Sequence, residues 1–195
     1  MGEKCLMLRV IAVNTGTKYS QWYVNNLKHM IDTYSNLNYN KFEVITKDEY
    51  DGVFNKLQMF DKFTDGQNIY FDLDVCILKD CNLFLKDEFT LCHAWWRDHQ
   101  HTPLNSSIIS WKGDQSKIFN FFNDDPEYYM LKYSKGIDQF IYENIKHQTY
   151  DDTYEVNSIK YLNENKSNKF NVVLFNQSYH LMHQEGWWSS YFLPL

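Results

Sequence analysis

Proline is scarce, with three in 195 residues. With no Pro-rich hinge, composition break or internal repeat, nothing divides the chain. Its length fits one domain at roughly 100–200 residues per domain. Runs of lysine and arginine are also missing. Acidic residues number 25 against 19 basic ones, a formal net charge of −6, which excludes a nucleic-acid backbone as partner. No stretch approaches the roughly 20 apolar residues of a membrane span. Met1-Gly2-Glu3-Lys4 opens no secretory signal, so the expected location is cytoplasmic. The four cysteines, Cys5, Cys76, Cys81 and Cys92, form no C-x-x-C pair. Cys76 and Cys92 sit in apolar runs, where a thiol behaves as a small hydrophobe, and all four are expected to be reduced, buried and chemically quiet. Sequons at Asn105, Asn165 and Asn176 carry no weight without a secretory signal.

What is present is a globular composition, 44% hydrophobic and 18% aromatic. Chains of this size bury about 70% of their unfolded surface without staples. Residues 6–13 form a nearly continuous apolar run, as in a strand buried on both faces. After the break at Asn14-Thr15-Gly16-Thr17, Ser20 can cap a helix with Tyr23, Leu27, Met30, Ile31 and Tyr34 at helical spacing. Residues 42–46 read as a second strand. Asp51 can cap a helix over 51–60 that carries Val53, Phe54, Leu57 and Phe60, and 68–71 read as a third strand. Strands alternating with helices predict an α/β fold with a mostly parallel central sheet. The second half reads as mixed α+β: strands at 89–96, 107–111 and 172–175, helices at 118–122 and 137–145, and an aromatic tail over 187–192 without period.

The informative segment is Asp72-Leu73-Asp74, at the end of the apolar strand. Residues i and i+2 of a strand share a face, so the two carboxylates can stand ~7 Å apart. In open α/β sheets ligands bind at the carboxyl ends of strands. Two hard oxygen donors there suit Mg²⁺ or Mn²⁺ shared with phosphates. A polar turn between two strands explains the same residues equally well.

The wider pattern resembles the GT-A glycosyltransferases, particularly the compact families around glycogenin and the bacterial galactosyltransferases. Their order of motifs appears here as Lys56-Leu57, Asp72-Leu73-Asp74, Asn105-Ser106, Asp138-Gln139 and His183-Gln184-Glu185-Gly186. The resemblance covers most of the chain. It implies a single GT-A-like domain over 1–195, with a nucleotide-binding half in 1–75 and a donor-sugar and acceptor half in 76–195. It implies transfer of a sugar from a nucleotide-diphosphate sugar, UDP-sugar favoured, to a glycan or glycoprotein acceptor, with Mn²⁺ or Mg²⁺ as cofactor. Asp72, Asp74 and His183 are then the metal ligands, with His180 a near neighbour of the last. Lys56, Asn105, Ser106 and Gly186 face the donor, as do Thr15 and Tyr19 in the loop after the first strand. Asp138 and Gln139 face the transferred sugar as the catalytic candidates. The Asp-Gln and His-x-x-Gly features lean toward retention of anomeric configuration.

Two departures stand out. The family's lysine after His-x-x-Gly is absent, because Gly186 is followed by Trp187-Trp188-Ser189-Ser190, leaving Lys112 or Arg97 as substitutes. The chain is also shorter than is usual for these families. Two other readings stay open. One is a haloacid-dehalogenase-like phosphatase with Asp72 as nucleophile and Asp124-Asp125 or Asp151-Asp152 as late acids. The other is a non-catalytic glycan-binding module stacking sugars on Trp95-Trp96 or Trp187-Trp188.

Overall fold

A computed structural model describes residues 7–96, 102–150, 156–162 and 169–195. The apolar run at the start becomes β1 (Leu8–Val13) and the periodic segment α1 (Gln21–Tyr34). Then come β2 (Lys41–Ile45), a 3₁₀ turn (Gly52–Leu57) leading into α2 (Gln58–Lys62), and β3 (Gln67–Phe71). Parallel pairing of β1 with both β2 and β3 gives the expected crossover half. The sheet continues through β5 (Thr90–His93), β6 (Leu104–Lys112) and β7 (Gln148–Thr149), in the order β2-β1-β3-β6-β5-β7. β6 runs antiparallel to β3 and β5, while β7 is parallel to β5. A second sheet holds β4 (Val75–Ile77), β9 (Val172–Leu174) and β8 (Val156–Ser158), in that order.

Strand alternation sends side chains of the main sheet into two cores. Leu8, Val10 and Ala12 of β1, Ile69 and Phe71 of β3 and Ile108 of β6 face α1, the small sheet and the C-terminal segment. Ile11, Tyr70, Ile109 and Trp111 face the opposite layer, where Leu57 and Phe60 meet α3 (Ser116–Asn123) and α5 (Ile137–Asn144). The helix α4 (Pro126–Lys132) has no buried residue and was invisible to apolar periodicity. The aromatic tail wraps α1: Trp22 lies 4.6 Å from the His183 ring, Tyr34 lies 5.1 Å from Tyr191, and the Leu193 amide donates to Asn26 Oδ1. No helix among the described residues is long and apolar enough to cross a membrane.

Several local expectations are corrected. Neither Ser20 nor Asp51 makes a side-chain capping bond. The expected 51–60 helix begins as a tight 3₁₀ turn because the Asn55 amide donates to the carbonyls of Tyr50 and Gly52, competing with regular α-helical bonding. Strand β6 starts at Leu104, so Asn105 and Ser106 lie inside it rather than before it, opposite a register shift between Leu91 and Cys92. Asp72 and Asp74 stand in the turn between β3 and β4, not in an extended strand. Cys76, Cys81 and Cys92 are free and buried as expected, and burial pushes their thiols up. Cys5, Arg97, Asp151, Asp152 and Asn165 lie outside the described residues.

Candidate active site

Antiparallel β6 brings its N-terminal end to the C-terminal end of β3, pairing Ile108 with Phe71, and the Asp72 amide donates to Ser107 O at 2.9 Å. A cavity of about 1350 Å³ opens there. Thr15 and Tyr19 from the loop after β1, Lys56, Asp72, Asp74, Asn105, Ser106, Asp138 and Gln139 all line it. Nine positions from five separate segments therefore meet in one place.

The acidic turn is held from every side. Lys56 Nζ lies 2.6 Å from Asp72 Oδ1, with 11% and 18% of the two side chains exposed, and the Tyr70 hydroxyl donates to the same oxygen. Tyr19 donates to Asp74 Oδ2 at 2.6 Å, and the amide of Phe175, just after β9, donates to Asp74 O at 2.8 Å. Burial first, then repulsion from Asp72, raises the Asp74 carboxyl from its usual 3.8 to about 6. The same burial drives the Tyr19 and Tyr70 phenols upward, so both remain donors.

Two mutually repelling carboxylates in a buried turn fit a hard divalent cation by donor type and charge. They are the two described donors that meet there. Among the described residues no group of three His, Cys, Asp or Glu side chains is gathered to hold a metal. His183 does not line the cavity; its ring lies against Trp22 and, at 5.1 Å, Tyr23. Gly186 is also outside the cavity. It accommodates the Trp188 indole, whose nearest atom would stand 2.5 Å from an added Cβ.

On the opposite wall, Asp138 Oδ1 accepts the Ser106 amide at 3.0 Å, and Gln139 donates to Glu143 one turn along α5 at 2.8 Å. The substitute lysine, Lys112, lies at the other end of β6, opposite Gln67 and tied to Asp87 at 3.1 Å. Cations that the linear pattern did not mark, Lys18, Lys135 and Lys160, line the cavity instead. The Lys18 ammonium stands 4.4 Å above the Tyr19 ring, a position that only the packing of the loop onto α1 defines. Asp48, which the linear pattern did not mark, and Asn176, marked there only by a sequon, also line the cavity. Of the tryptophan pairs, Trp96 lines the cavity, whereas Trp187 and Trp188 pack on the core and the Trp188 indole donates to Leu181 O.

No protein-family model matches the sequence, and no curated protein does. Solved structures do match. A glycosyltransferase involved in glycosylation of the major capsid of PBCV-1 is 11% identical, with a TM-score of 0.66 over 92% of this chain and 100% of that one. The glycosyltransferase GlyE of Streptococcus pneumoniae TIGR4 is 12% identical, with a TM-score of 0.62, and is covered over 62% of its length by 94% of this chain. The galactosyltransferase LgtC, in complex with donor and acceptor sugar analogues, is 8% identical, with a TM-score of 0.54 over 86% of each chain. At these identities the likeness is one of architecture, and the chain has a GT-A-like glycosyltransferase fold.

Proposed function

We propose that the protein transfers a sugar from a nucleoside-diphosphate sugar, UDP-sugar favoured, to a glycan or glycoprotein hydroxyl. The observation that carries this reading is the placement of Asp72 and Asp74. They are neighbouring carboxylates in the cavity, at the carboxyl end of β3 in a glycosyltransferase fold.

Asp72 and Asp74 would hold Mn²⁺ or Mg²⁺, which when bound neutralises charge building on the departing diphosphate. His183 is the third ligand that the family resemblance implies, and to serve it must leave its place against Trp22. Lys56 fixes the Asp72 carboxylate toward the cavity. Lys18 supplies a cation on the diphosphate side, in place of the family lysine missing after Gly186. Asp138, oriented by the Ser106 amide, faces the sugar and stabilises positive charge at the anomeric carbon as its bond to the diphosphate breaks. Gln139, held by Glu143, orients the same sugar. The resemblance leans toward retention of configuration.

The test is calorimetric titration with UDP-, GDP- and TDP-sugars, first with Mn²⁺ and then with EDTA. Binding of a UDP-sugar that disappears with EDTA is the expected result. If none of the donors binds with or without the ion, the proposal is wrong.

A further inference from the structure

The cavity has a second carboxylate site, away from the acidic turn. The Asn14 amide extends the β1–β2 pairing by donating to Ile45 O at 2.8 Å, and beyond it the loop after β2 brings the exposed Asp48 beside Gly16 in the cavity wall. One buried side chain holds this loop. Asn55 Oδ1 accepts the amides of Glu49 and Tyr50 at 2.9 and 3.1 Å, together with Gln58 Nε2 at 2.8 Å. Its amide group donates to Asp48 Oδ1 at 2.8 Å. Asp48 Oδ2 is left facing Gly16, where an added Cβ would approach it to 3.6 Å. No lysine or arginine pairs with Asp48 among the described residues, whereas its neighbours Lys47 and Glu49 pair with each other.

A carboxylate only accepts, so a fixed and unpaired one in a cavity wall selects for ligand groups that donate. In dinucleotide-binding β-α-β units an acid after the second strand takes a ribose hydroxyl while the phosphates lie by the first loop. The order here is the same: β1, the Thr15-Gly16-Thr17 loop, α1, β2, then Asp48. Val13 and Val53 line the cavity with it and suit the flat face of a base, leaving the carboxylate to the ribose. Asn55, which holds Asp48, is followed directly by Lys56, which holds Asp72, so consecutive residues position both ends of such a ligand.

We propose that Asp48 binds the 2′- and 3′-hydroxyls of the donor's ribose, making the site selective for ribonucleotides over 2′-deoxyribonucleotides. This rests on the sugar-transfer reading above and adds a selection that disfavours deoxythymidine donors.

The experiment is calorimetric titration of UDP and 2′-deoxy-UDP, and of GDP and 2′-deoxy-GDP, into wild type, Asp48→Ala and Asp48→Asn with Mn²⁺ present. Losing one charge-assisted hydrogen bond should weaken wild-type binding about tenfold for the deoxy member of whichever pair binds. Asp48→Ala should bind both members within about a factor of two of each other, given the same bond arithmetic. In that variant Asn55 keeps Tyr50 O and Gly52 O as acceptors, so the loop remains anchored; the shape-preserving Asp48→Asn, which should narrow the ratio, covers a failure to fold. Equal wild-type affinity for both members, or unchanged discrimination in both variants, overturns the assignment alone. No nucleotide binding by wild type overturns the sugar-transfer reading together with it.

Discussion

Lys56 Nζ and Asp72 Oδ1 stand 2.6 Å apart in a cavity wall where both side chains are largely buried. Removing the lysine leaves a carboxylate beside Asp74 with Tyr70 as its one side-chain partner among the described residues. Lys56→Met is therefore expected to cost about 2–3 kcal/mol of stability, and adding Asp72→Asn to recover most of it. Urea unfolding of wild type, both single variants and the double variant measures the interaction. A Lys56→Met cost that is the same in the wild-type and Asp72→Asn backgrounds would show that the pair contributes nothing.

Asp74→Asn is expected to abolish divalent-cation binding while raising the thermal midpoint at pH 8. The folded carboxyl titrates near 6 and the unfolded one near 3.8, so the native state holds the proton more tightly. Charged Asp74 thus weakens the fold above about pH 6, and this penalty fades as pH falls toward 4. Melting curves at pH 8 and pH 4 should show a clear gain for the variant at the first and little at the second. A variant less stable than wild type at pH 8 contradicts this account.

Asp138→Asn keeps an oxygen for the Ser106 amide and removes the charge. Turnover should fall by about a hundredfold with donor affinity nearly unchanged, the pattern of a group that acts on the transition state. Steady-state rates with calorimetric donor affinities separate the two effects. A loss confined to affinity would make Asp138 a binding residue only.

Gly66 adopts φ +69°, and an added Cβ would lie 2.5 Å from Met7 O. That carbonyl accepts the Gln67 amide at 2.8 Å at the start of the β1–β3 pairing. Gly66→Ala combines a left-handed backbone with a backbone clash and should destabilise the protein by about 2 kcal/mol or more. Denaturant midpoints with an unchanged slope would confirm it, and a neutral substitution would refute the geometry.

The crossover half was readable because its apolar runs have either the length of a buried strand or the period of a helix. Val10 belongs to a run of the first kind and Leu27 to one of the second. Of the small sheet only β9 was legible, as the strand expected at 172–175; β4 and β8 have three residues each and are too short to show a period. Asn105 and Ser106 read as loop residues after Pro103, yet pairing with β5 draws them into β6. Most of the candidate site could be assembled from order along the chain, because the ends of β1 and β3 and the start of α5 converge in this topology. His183 fell outside because aromatic packing on Trp22 is a tertiary choice among seven histidines. Asp48 and the Asn55 centre of bonding were missed for another reason: bonds from side chain to backbone follow no repeat.

The bond from the Phe175 amide to Asp74 O bears on the order of synthesis. Domains begin to organise N-terminal first as the chain emerges. A nascent chain that has already released β1, α1, β2 and β3 still lacks β9, the strand that pairs with β4 beyond the acidic turn, and lacks the anchor on Asp74 itself. A ribosome stalled before residue 172 therefore holds a chain with the loops after β1 and β2 in place and its acidic turn unclamped. Closure of the acidic turn thus waits for β9, about a hundred residues further along the chain than the turn it clamps.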